Sequence, residues 1–231
     1  MRTDLGDLTD VEAVSKIVDV DGLDLLDVGC GSGTVARLIA DKGAVVRGIE
    51  PDPVQAEQNR AADLVENVTL DEGRAEAVAA ADDSYDGVMF LRSLHHVPRE
   101  SMDQALQEAA RVLRPDGFLL VVEPGMACSH FEMMQPFHDE GEVRTLAQEA
   151  LARTADGLFA DREEYLCMQH PRYESFDALV DRMTGMSFND ITREMIDVPE
   201  VRARFEAERS DDGYVFEQPI LINLYRSLRP G

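Results

Sequence analysis

Glycines at positions 29, 31 and 33 follow directly on the apolar run Leu25-Leu26-Asp27-Val28, and an apolar stretch of helical spacing, 34–40, follows them. This order of strand, glycine turn and helix constrains the fold more than any other feature of the chain. A glycine turn lets the backbone pass close to a ligand and aims the first N–H groups of the next helix at it. Such turns belong to parallel sheets, whose carboxyl edge is where ligands collect. The same alternation continues downstream. Strands are predicted at 23–28, 44–49, 67–70, 85–91 and 118–122, and helices at 34–40, 54–64 and 101–113. Asp52-Pro53 supplies an N-cap and a first-turn proline for the second helix, and Lys42-Gly43 ends the first. With 231 residues, 44% of them hydrophobic, the chain can bury one α/β core but not two full-size domains.

After Glu123-Pro124-Gly125 the pattern changes. The segment 126–175 reads as mainly helical, with 142–152 the clearest stretch, and it carries three of the five histidines and two of the three cysteines. A helix near 176–183 follows, then an acidic helical segment at 189–209. A last strand is predicted over 214–228, broken near Pro219. The expected organisation is one domain over 1–231, with its core at about 1–125 and 176–231 and a helical cap at about 126–175.

The chemistry of the first turn is set by its acids. Asp27 lies two residues before Gly29, and Glu50 ends the next strand, where a carboxylate can accept hydrogen bonds from both hydroxyls of a ribose. A nicotinamide dinucleotide site, and with it an oxidoreductase, fits poorly. The position that should be Gly or Ala is Thr34, and Asp27 would repel a pyrophosphate. A carboxylate there suits a cationic sulfonium and its amino group, which favours S-adenosylmethionine. The blocks LLDVGCGSG, VVRGIEPDP, GRAE, DDSYDGVMFLRSLHHVP and LRPDGFLLVVEP occur in that order from Leu23 to Pro124. Together they resemble the class I S-adenosylmethionine-dependent methyltransferases, in particular the small-molecule, type 11-like branch.

That resemblance implies a Rossmann-like, seven-stranded, mostly parallel sheet of order 3-2-1-4-5-7-6, with helices on both faces and a helical cap inserted after strand five. It implies a methyl group moved by in-line displacement to a small-molecule acceptor, with S-adenosylhomocysteine as product. A binding protein of the same fold without turnover is the alternative. The cofactor contacts it implies are Asp27, Gly29, Cys30, Gly31, Glu50, Pro51, the block at Arg74 and Ala75, and the backbone at Leu91. Relatives often place an Asp where this chain has Arg74. His95 and His96 are the catalytic candidates, as bases for an acceptor that must lose a proton. Glu123, His130, Tyr165 and His170 are the candidates for the acceptor pocket.

Charge excludes several other classes. There are 46 Asp and Glu against 22 Lys and Arg, a net charge of −24. Such a chain repels phosphate backbones and anionic lipid, so neither nucleic acid nor a membrane surface is an expected partner. The cysteines, Cys30, Cys128 and Cys167, have neither disulfide-framework nor zinc-finger spacing, so no metal is expected. With no signal-like N-terminal segment, a reducing cytoplasm is the expected setting. Only Lys16 and Lys42 are lysines, a bias that fits a GC-rich genome or a salt-rich cytoplasm.

Overall fold

The capping signals place the helices where the chain must turn back onto the sheet. Strand β1 (Thr3–Asp7) leads to helix α1 (Asp10–Ile17), which Thr9 and Glu12 close in a reciprocal capping box. Strand β2 (Asp24–Val28), helix α2 (Thr34–Ala40), strand β3 (Val45–Glu50) and helix α3 (Pro53–Ala61) follow, with Asp52 accepting from the Val54 N–H at the start of α3. Next come β4 (Val68–Glu72), β5 (Tyr85–Leu91), a 3-10 turn at Leu94–His96, α4 (Met102–Val112) and β6 (Leu113–Pro124). The computed structural model describes residues 2–62, 65–186 and 189–229. The helix expected over 54–64 thus runs to Ala61, and its expected end at Leu64 lies outside the described residues.

Beyond β6 the chain forms α5 (Ser129–Met134) and α6 (Gly141–Ala150). The latter runs on through a π turn (Leu151–Ala155) and the short α7 (Asp156–Leu158). Strand β7 (Phe159–Gln169) then returns to the sheet. The remaining elements are β8 (Arg172–Tyr173), α8 (Phe176–Thr184), α9 (Arg193–Ile196), α10 (Pro199–Ala207), β9 (Arg209–Ser210), β10 (Gly213–Val215) and β11 (Gln218–Leu228).

The main sheet has the order β1-β7-β11-β6-β5-β2-β3-β4, and β11 alone runs antiparallel to its neighbours. The implied order 3-2-1-4-5-7-6 is present within it, with β7 as the sixth strand and β1 added at the edge, so the sheet has eight strands rather than seven. The cap boundaries expected at 126–175 do not follow the elements, because 159–169 is a sheet strand. Its run Ala160–Glu163 is exposed, so β7 lacks the apolar alternation that marks a strand in sequence. The segment 214–228 likewise splits. Tyr214 belongs to a small sheet of order β8-β10-β9, and Gln218 opens β11.

Alternation along the central strands divides the core. Leu119 and Val121 face the layer under α4 and α6, whereas Phe118, Leu120 and Val122 face α1 and α2. Helix α4 buries Met102, Ala105, Leu106 and Ala109, one stripe at helical spacing. Each large side chain so buried contributes about 1.5–3 kcal/mol. A third cluster, around Phe176, Phe205 and Phe216, holds α5, α8, α10 and the small sheet together. Among the described residues no helix is long and apolar enough to cross a membrane.

Candidate functional site

The carboxyl ends of β2, β3, β5 and β6 meet at one edge of the sheet. There the chain leaves a cleft of about 700 Å³, within the ~300–1,000 Å³ range of small-molecule sites. Its floor is the glycine turn. Gly29 takes φ +73°, and a Cβ there would lie 2.6 Å from the Cβ of Ser93, so only glycine lets β5 approach β2 this closely. Ser93 completes the junction by donating its hydroxyl to the Val28 carbonyl.

Glu50 faces the turn from the end of β3. Its Oε2 accepts the Gly31 N–H at 2.9 Å and its Oε1 the Asp52 N–H at 2.9 Å, which leaves each oxygen a further lone pair. Beneath them Asp27 is 1% exposed, and its Oδ1 has no hydrogen-bond partner among the described residues. Burial, with the charge of Glu50 added, pushes the Asp27 carboxyl up to about 7. Pro51, Arg74, Ala75 and Glu76 line the outer wall, with Arg74 donating to Glu76 at 2.5 Å. Val97, Pro98 and Met186 give the opposite wall its apolar surface.

Of the expected cofactor contacts, Gly29, Gly31, Glu50, Pro51, Arg74 and Ala75 line this cleft, with Asp27 below it. Two differ. The Cys30 thiol turns away to pack on Gly48, where a Cβ would come within 2.7 Å of the sulfur, and burial followed by the charges of Asp27 and Glu50 raises its pKa. Leu91 packs into the core, and the next residues, Arg92 and Ser93, reach the cleft instead. Arg92 adopts φ +60° and is held there by two bonds to Asp10, at 2.9 and 3.0 Å, and by one to Gln169.

The two histidines part company. His96 lines the cleft, whereas His95 points inward and is 4% exposed. His95 Nδ1 bonds Glu123, itself 1% exposed, and His95 Nε2 lies 3.6 Å from Glu140. Burial alone would lower the His95 imidazole, but the two carboxylates outweigh it and hold it up at about 9. His96 is exposed at the cleft, yet the protein packed about its ring, and then the charge of His95, push it down to about 4. Glu140 also meets His138 at 3.0 Å and Arg144 at 2.6 Å. These partners overcome its burial and hold its carboxyl well below the usual range.

The expected acceptor pocket is not assembled. Glu123 is consumed by His95. His130 bonds Gln218 at 2.8 Å and the Tyr173 hydroxyl at 2.9 Å, and burial pushes its imidazole down to about 4. Tyr165 donates to Glu163 on the far edge of the sheet, beside β1, and His170 pairs with Asp7 at 3.4 Å. None of the three lines the cleft. Sequence reasoning missed Glu140 and Arg144, while Met186 owes its place in the cleft to the small α8 layer rather than to any local pattern.

Comparison with known proteins agrees with the architecture. Residues 26–121 match the type 11 family described as "Methyltransferase domain". The ubiquinone/menaquinone biosynthesis C-methyltransferase UbiE of Nitrobacter hamburgensis is 30% identical over 179 residues, covering 74% of this chain and 68% of that protein. The 27-O-demethylrifamycin SV methyltransferase of Amycolatopsis mediterranei is 39% identical over 111 residues, covering 43% of this chain and 40% of its own length. A solved structure from Bacillus halodurans, assigned to the methyltransferases, superposes with a TM-score of 0.65 at 21% identity, over 95% of this chain and 99% of that one.

Proposed function

The chain belongs to the class I S-adenosylmethionine-dependent methyltransferases, type 11-like, and from that premise we propose that it methylates a small molecule held between His96 and Met186 in the cleft. The observation that carries this reading is the donor set at the glycine turn. Glu50 keeps a lone pair on each oxygen for two ribose hydroxyls, and the unpartnered Oδ1 of Asp27 offers negative potential below them. The residues present therefore fit S-adenosylmethionine, the family's cofactor, which when bound supplies an activated methyl group on a cationic sulfur. Gly29, Gly31 and the backbone at 91–93 would hold its amino-acid end, and Pro51, Arg74 and Ala75 its base, with Glu76 pinning the Arg74 side chain aside.

What the chain itself contributes is mostly position. Ser93 and Gly29 lock β5 against β2, so the acceptor side of the cleft stays fixed relative to Glu50. His96 presents an uncharged ring to that side at neutral pH, able to take a proton from an acceptor that must lose one. His95 is a support, since it carries its proton and faces Glu123 rather than the cleft. The two relatives act, by their names, on a quinone-pathway carbon and a rifamycin oxygen, which supports a small organic acceptor without selecting the atom. The chain spans only 40% of the rifamycin enzyme's length, so acceptor choice rests on Val97, Pro98 and Met186 here.

The test is incubation with methyl-labelled cofactor and a panel of phenolic, enolic and amine acceptors. Label transfer that is lost in Glu50→Ala supports the reading. Tight binding of S-adenosylhomocysteine with no transfer to any acceptor favours a binding protein without turnover.

A further inference from the structure

Behind His96, which lines the cleft, lie two buried carboxylates, Glu123 and Glu140, with His95 held between them and Arg144 on the far side of Glu140. One ligand atom from each of His95, His96 and Glu140 falls within 4.8 Å of the other two. We propose that these three residues bind one divalent transition-metal ion, of the zinc or cobalt kind, beside the cleft where His96 lines it.

Four features support the assignment. The donor set is two imidazole nitrogens and one carboxylate oxygen, the set that such ions take with coordination positions to spare. The supports are those of a metal site: Glu123 holds His95 Nδ1–H, and Nε2 is turned toward Glu140, where an ion would take the place of its proton and release it to solvent. Arg144 occupies the Oε2 side of Glu140, and His138 meets Oε1 at 3.0 Å, where a second lone pair remains for an ion. One of the three ligand pairs is already near bonded spacing. Ligand bonds of about 2.0–2.2 Å place tetrahedral neighbours about 3.4 Å apart, against 3.6 Å between His95 Nε2 and Glu140 Oε1. His96, the exposed ligand, closes the remaining distance by turning its ring, and the same exposure gives an ion its entry. With an ion bound the His96 nitrogen is committed to it, and an acceptor oxygen would meet the ion's open position. That last consequence rests on the methyl-transfer reading, whereas the site itself does not.

The experiment is calorimetric titration of the full chain, freed of metal by chelation, with Zn²⁺ and with Co²⁺. Excess Mg²⁺ and about 1 M KCl suppress loose binding to surface acids. One equivalent should bind, and Co²⁺ should develop visible absorption. Affinity should fall at least about tenfold in His96→Ala and Glu140→Gln, and about 10- to 100-fold in Glu123→Gln, the support of a ligand. It should be unchanged in His170→Ala. Should Glu140→Gln fail to fold, His96→Ala still decides, because its ring is exposed. No stoichiometric binding, or equal affinity in His96→Ala, overturns the site. S-adenosylhomocysteine binding measured on the same sample shows whether the cofactor reading stands regardless.

Discussion

Asp27→Asn should stabilise this protein at neutral pH while impairing its cofactor site. Asp27 is 1% exposed, lacks a partner for Oδ1 among the described residues, and has its pKa raised from 3.8 to about 7 by burial and then by Glu50. The folded protein therefore binds this proton more tightly than the unfolded chain does. Between about pH 4 and pH 7 the native state holds more protons, so stability is fully present below that window and falls as pH rises through it. At 1.36 kcal/mol per pH unit, the loss reaches about 4 kcal/mol as a ceiling. Asparagine keeps the shape and cannot ionise, so it escapes the loss.

Urea unfolding of both proteins without cofactor, across about pH 4 to pH 8, should show the variant gaining on wild type through that window and holding a constant lead above it. Other titrating groups, His95 among them, cancel in the difference. Binding should move the opposite way, because a cationic cofactor draws on the charge that asparagine lacks. Cofactor binding to wild type below about pH 7 should then release a proton, visible as a buffer-dependent heat. A stability difference that stays flat with pH would refute the argument, since it would mean Asp27 titrates alike in the folded and unfolded chain.

Glu50→Ala removes the acceptor of two backbone N–H groups as well as a ribose partner, so S-adenosylhomocysteine affinity should fall by about 1.5–3 kcal/mol. Equal affinity by calorimetry would sink the ribose assignment. His130→Ala should cost about 1–3 kcal/mol of stability by unpairing Gln218 and Tyr173 and should leave cofactor affinity alone, whereas Tyr165→Phe, which loses one exposed bond, should stay within about 0.5 kcal/mol. Chemical denaturation checks both, and a His130→Ala protein as stable as wild type would return that ring to the candidate ligands. The melting temperature should climb between about 0.01 M and about 1 M KCl, because screening weakens the repulsion of a −24 net charge more than it weakens exposed ion pairs such as Arg99–Glu142. A flat or falling melting temperature would show that the paired arginines dominate.

The parts of this fold legible in sequence are those whose determinants lie within one turn of chain. Strand β2, the glycine turn, α2 and the Glu50 strand end each declare themselves through neighbouring residues, and they supply most of the cleft floor. Strand β7 did not, because it lies near the sheet edge with Ala160–Glu163 in solvent; its pairing with β11 and β1 is written in residues far along the chain. Misreading it as cap also misplaced Tyr165 and His170, which ride on or just after it. The charged network escaped for the same reason. Arg92 reaches Asp10 across 82 positions, and His95 reaches Glu123 across 28.

Glu140 shows why no local pattern could have revealed the network. It precedes α6 in a run, His138-Asp139-Glu140-Gly141-Glu142, where every acid looks alike, and its neighbours are solvated or cap the helix. What singles it out is that α6 packs beside the 3-10 turn carrying His95 and His96, so one acid of the run is driven inward against His95, His138 and Arg144. Burial then forces pairing, since an uncompensated carboxylate there would cost several kcal/mol. The pairing fixes His95 beneath His96 and ties the segment after β6 to the carboxyl end of β5. The cleft is therefore set by two layers of different origin. A backbone floor follows from glycine and strand ends, and a charged rear wall exists only once the inserted segment has docked.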